Sequence, residues 1–203
     1  CVRDSAKESL LELFSHGGFP VNNISVLYKG ERINYLCQNI NFYQPCIVQY
    51  PLYVHTAERA LEDELIDGVE TCFGTIEQTL RQKGYIINGG GVGVLAEFKP
   101  GIVQIRVLRE FTMNKGDFSH KYSYFDTAIN IPAYELTTTA SEIVAQEAKW
   151  CHFSVDGFMA LYPDFDIRMD RLGESTKIYT LIDKESKTQL RMAIRGCAIP
   201  AGF

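Results

Sequence analysis

An α+β fold, helices packed on antiparallel sheet, is predicted by three features of the sequence. The apolar period changes from 3.6 to 2 and back, turn residues separate short β-prone runs, and capping residues mark helix ends. At 203 residues, 46% of them hydrophobic, the chain carries enough apolar material for one large core, so residues 1–203 are expected to form a single domain. No stretch is depleted in apolar residues, and no repeat or low-complexity segment interrupts the pattern.

Taken in order, Ser5 and Glu8 have capping-box spacing, and Ala6, Leu10, Leu13 and Phe14 then recur at helical period until Gly17-Gly18. Residues 24–28 and 31–37 flank Lys29-Gly30 and read as a hairpin. After Pro51, Leu61, Leu65, Val69, Cys72, Ile76 and Leu80 advance by threes and fours between Thr56 as N-cap and Gly84 as stop, a helix of about seven turns. Glu58, Glu62, Asp63 and Glu64 near its start suit the helix dipole and read as a solvated face.

Across residues 85–131 the period becomes two, with Val103, Ile105, Val107, Phe111 and Met113 on one face and turns at Lys99-Pro100-Gly101 and Asn114-Lys115-Gly116. Arg106 and Arg109 fall in this meander and read as its solvated face. Gly89-Gly90-Gly91-Val92-Gly93 lacks the final glycine that would open a helix in a dinucleotide loop, and reads as a glycine-rich hairpin. Leu136, Ala140, Val144, Ala148 and Cys151 mark a further helix over about 134–151. Phe165, Ile167 and Met169 then alternate with Asp164, Asp166 and Asp170, an outer strand face rather than a calcium loop. Residues 177–182 pair with 189–197, which closes the chain on a second meander.

The formal charge of −5 argues against a nucleic-acid partner, which would need clustered Lys and Arg. No apolar run is long enough to span a bilayer, so membrane attachment would require an anchor upstream of Cys1. A start at Cys1 reads first as a cropped chain, second as a lipidated cysteine and third as an N-terminal nucleophile. No GxSxG, HExxH or P-loop spacing occurs, so no catalytic residue, metal site or cofactor is assigned, and the protein is expected not to be an enzyme. A cysteine nucleophile at Cys1 or Cys151 is the weakest reading, since Cys151 and His152 are adjacent on a helix and point apart.

Six cysteines, Cys1, Cys37, Cys46, Cys72, Cys151 and Cys197, form no CxxC pair, and disulfides are their simplest use. Cys37 and Cys46 flank a loop and are the favoured pair. The loop mixes amides with aromatics, and Phe42, Tyr43, Gln44, Tyr50 and Tyr53 are its candidate binding residues. Asn23-Ile24-Ser25 is an N-glycosylation sequon, with Asn23 as acceptor if the chain is exported. The terminal Ala193-Ile194-Arg195-Gly196-Cys197 run and the apolar tail after it could add to a neighbour's sheet edge.

Residues 43–46 (YQPC), the long helix with Cys72, 146–151 (QEAKWC) and 193–200 (AIRGCAIP) together resemble uncharacterised secreted or membrane-anchored proteins of small-genome archaea. That resemblance implies an extracellular or cell-surface location and paired cysteines, and no activity. The expected function is therefore a surface protein that works by contact with protein, including copies of itself in a filament or array. The alternative is a module that holds a ligand on the 38–53 loop.

Overall fold

The computed structural model describes residues 1–41 and 43–196. Helix α1 (Val2–Ser15) leads into strands β1 (Ser25–Tyr28), β2 (Glu31–Gln38) and β3 (Ile47–Val48), then the long helix α2 (Tyr53–Gln82). Strands β4 (Ile86–Gly89), β5 (Gly93–Lys99), β6 (Ile102–Lys115) and β7 (Phe118–Ile129) follow. Helices α3 (Ala133–Trp150) and α4 (Val155–Leu161) precede β8 (Phe165–Arg171), β9 (Thr176–Asp183) and β10 (Gln189–Arg195). The α+β class is as the sequence predicts.

One sheet runs β1-β2-β10-β9-β8, with β3 paired to β2. Its β2–β10 pair is parallel, a departure from the all-antiparallel expectation. The long excursion through both α2 and the second sheet makes this possible, because parallel neighbours need a crossover that a hairpin does not supply. In the second sheet β4 and β5 pair with successive stretches of β6, and β7 pairs with its other edge. Helices α1, α2 and α3 pack between and against the sheets, and a single cluster of buried side chains links Leu10, Leu61, Ile105, Leu136 and Leu181.

The long helix starts at Tyr53 rather than after Thr56, whose hydroxyl donates back to the Leu52 carbonyl from inside the first turn. It stops where expected. Gly84 sits at φ +83°, with Gly84 and Tyr85 amides returning to the carbonyls of Arg81 and Leu80, a Schellman end. Helix α1 likewise begins before its expected Ser5 cap, because Cys1 is tied to Cys72 on α2. Ser5 instead lies inside the helix, against α2 at Gly68, where a Cβ would fall 2.7 Å from the Ser5 hydroxyl. Helix α4, capped by the Ser154 side chain, has only seven residues and gave no readable period.

The glycine run is not a hairpin. Gly89 and Gly93 end two collinear strands, and between them the chain passes the irregularity in β6 between Leu108 and Phe111. Arg109 there turns inward, 11% exposed, and its guanidinium meets Glu77 of α2 at 2.5 Å and covers the Phe73 ring. It is not part of a solvated face. The pair lies directly over Gly89, where a Cβ would come within 2.8 Å of the ends of both side chains, so a larger residue there would displace the Arg109–Glu77 pair.

Candidate interaction surface

Sheet edges expose unpaired amides and carbonyls, and a folded protein closes them or uses them. The β5 edge is closed from α2. Glu58 and Glu62, one helical turn apart, accept hydrogen bonds from the amides of Phe98 and Ala96 at 2.8 and 2.9 Å. Part of the acidic run thus serves as an edge cover, a correction to its reading as a solvated face. Beyond β5, the Gly101 amide donates to Glu135 at 2.8 Å.

The opposite edge, β7, has no such cover from any described residue over 118–124. All seven are exposed, on both faces of the strand, and outside the β6–β7 ladder no backbone hydrogen bond joins them to any other described residue. The segment is also aromatic. Phe118, Tyr122 and Tyr124 are 51%, 37% and 54% exposed. From the hairpin tip inward, the rings of Phe118, His120, Tyr122 and Phe125 follow one another at 6.3, 4.5 and 5.4 Å, and the Phe125 ring packs, tilted, 5.1 Å from that of Phe73 on α2.

This ladder ends in a cleft of about 420 Å³ between α2 and the hairpin, lined by Cys1, Cys72, Phe73, Phe111, Tyr122 and Phe125 among others. Its wall is almost wholly apolar. On the outer face, Arg106 holds Asp126 through two hydrogen bonds of 2.7 and 3.1 Å and lies over the Tyr124 ring. That guanidinium keeps the Asp126 carboxyl below its usual 3.8.

The 38–53 loop is organised differently. Cys37 and Cys46 are bonded, as expected, with Cα atoms 5.4 Å apart. Phe42 lies outside the described residues. Tyr43 projects, 75% exposed, and Gln44 accepts from Asn41 at 3.3 Å. Tyr50 packs on Phe19 at 4.2 Å, and its hydroxyl accepts from Asn22 at 2.7 Å. Tyr53, 4% exposed, is no contact residue: its hydroxyl donates to the Gly17 carbonyl and fixes the α1 turn. The candidates are therefore split between solvent and core. A cleft of about 610 Å³ opens beside Tyr50 and Val54, with Thr138, Ser141 and Glu142 on its α3 side.

Burial pushes the phenols of Tyr53 and Tyr179 far above their ordinary 10.0, with the Glu147 carboxylate adding to the effect at Tyr179. In the unfolded chain both ionise near 10.0, whereas in the folded chain they stay protonated. The stability they carry is therefore complete below that pH and is lost as pH rises past it. Urea unfolding on either side of pH 10.0 should show the midpoint falling on the alkaline side, and Tyr53→Phe should flatten that fall.

Cys1 and Cys72 form the second described disulfide, with Cα atoms 6.1 Å apart, and Cys151 is also disulfide-bonded. Among the described residues no cysteine is free. Cys1 is therefore neither lipidated nor a nucleophile through its sulfur, and Cys151 is not a nucleophile. Cys197 and the tail after it lie outside the described residues. Two intramolecular disulfides mark an oxidising compartment, and no described helix is long and apolar enough to cross a membrane. Of the strand aspartates, Asp166 is held by Arg168 at 2.7 Å and Asp170 accepts from the Tyr28 hydroxyl.

No protein-family model, curated protein or solved structure matches the chain. Sequence reasoning passed over residues 118–125. Their signal was present: Phe118, His120 and Tyr122 alternate with Ser119, Lys121 and Ser123, which gives a strand with aromatics at every second position but no aliphatic face to bury.

Proposed function

We propose that the protein is an extracellular or cell-surface interaction module, held by disulfides, that assembles with copies of itself through the β7 edge. The observation that carries this reading is the asymmetry of the second sheet, whose β5 edge is covered by Glu58 and Glu62 while residues 118–124 stay open and aromatic. An open edge adds a strand by backbone hydrogen bonds, and flanking pockets take its side chains. Antiparallel pairing of two β7 strands about a two-fold axis at Tyr122 sets Lys121 against Ser123 and His120 against Tyr124, so no like charges face each other. Repetition through a second contact would extend such dimers into an array. The cleft beside Tyr50 is larger, but its aromatic walls are committed to Asn22 and Gly17, which makes the hairpin the better surface.

Sedimentation equilibrium over a wide concentration range tests this. The expected result is a reversible dimer, with Phe118→Ser/Tyr124→Ser weakening it by at least about tenfold, since each exposed aromatic contributes about 1 kcal/mol or more at such a contact. A strict monomer at all concentrations, or a dimer unmoved by the double substitution, sinks the proposal.

A further inference from the structure

We infer that Asn23 is an N-glycosylation site, built as an acceptor by the fold, an inference that rests on the extracellular reading above. Asn23-Ile24-Ser25 is the only N-x-S/T triplet in the sequence. The two neighbouring asparagines are used in opposite ways. Asn22 anchors the loop through four bonds: its backbone amide donates to Asn34 Oδ1 at 3.0 Å, its Nδ2 to the Tyr50 hydroxyl at 2.7 Å, its Oδ1 accepts from the Ile24 amide at 2.7 Å, and its carbonyl accepts from the Ser25 hydroxyl at 2.9 Å. Asn23 is exposed and its side chain makes no hydrogen bond to any described residue. The fold therefore pins the loop by one amide and presents the next to solvent.

The surroundings favour a glycan. Asn23 stands just before β1, the edge strand of the larger sheet, and Val21, Ile24 and Leu27 around it are 41%, 39% and 65% exposed. An oligosaccharide at this point would screen both the apolar patch and the free edge, as bulky surface groups do. The donor is a lipid-phosphate-linked oligosaccharide, used by a membrane transferase of the export route. Asn23 Nδ2 forms a bond to the anomeric carbon, the bond from that carbon to the lipid-phosphate oxygen breaks, and the lipid phosphate leaves. One amide proton passes to a base of the transferase, and no oxidation state changes.

The test is mass spectrometry of the full chain exported by cells with N-glycosylation machinery, with thiols counted on the same sample. The expected result is an oligosaccharide on the Asn23 peptide, lost completely in Asn23→Gln and in Ser25→Ala and retained in Ser25→Thr. Bare Asn23 on a chain with no free thiols overturns the inference and leaves the extracellular reading standing. Bare Asn23 on a chain with six free thiols overturns both.

Discussion

Replacing Cys1 and Cys72 together by alanine should cost about 4 kcal/mol of stability, the larger effect of the two described bridges. The bond joins residues 71 apart and removes the corresponding loop-closure entropy from the unfolded chain. The Cys37–Cys46 bond spans 9 residues, and the same relation gives about 2.5 kcal/mol for its removal. The native contacts point the same way. Cys1 meets Cys72, Ser5 meets Gly68, and Leu10 and Phe14 are buried in the same core as Leu61 and Leu65, so α1 runs antiparallel along α2 with the bridge at its open end. Without it the first turn of α1 frays, and one wall of the 420 Å³ cleft goes with it. Chemical unfolding under non-reducing conditions measures both losses, and a Tm drop on the order of 10 °C is expected for the Cys1/Cys72 variant. Equal losses for the two bridges would show that loop length is not what the longer one supplies.

What could be read in the sequence was whatever depends on a residue and its near neighbours. The 3.6 period of α2, the stop at Gly84, the turn at Lys29-Gly30 and the Cys37–Cys46 pair all lie within one element or one loop, and each is found where expected. What could not be read depends on a partner distant in sequence. Glu58 and Glu62 look like any acidic first turn until β5 arrives beneath them. Arg109 looks solvated until Glu77 closes over it from α2. The β7 edge is half legible: the alternation of Phe118, His120 and Tyr122 with Ser119, Lys121 and Ser123 marks an aromatic strand with no aliphatic face, whereas its lying uncovered depends on the absence of a neighbour, which a local pattern does not encode.

Glu147 belongs to the same class, and its replacement is the second large expected effect. The apolar stripe of α3 runs through Leu136, Ala140, Ile143 and Val144 and arrives at Glu147, where a charge is out of place, so the period suggested Ala148 instead. In the fold Glu147 is wholly buried. Lys177 of β9 donates to both carboxylate oxygens at 2.7 Å and to the Cys151 carbonyl at 3.0 Å, and the Tyr179 hydroxyl donates to Oε1. The network locks the C-terminal turn of α3 onto the sheet. Burying two charges costs nearly as much as their attraction returns, so the pair is not itself a large source of stability; removing one member is what costs, because the other stays buried without its partner. Glu147→Leu should therefore destabilise by about 3–5 kcal/mol, and Glu147→Leu with Lys177→Met by less than Glu147→Leu alone. Chemical unfolding of the two singles and the double gives the coupling directly. If the two single losses simply add in the double variant, Glu147 and Lys177 act independently and the lock is not an ion pair.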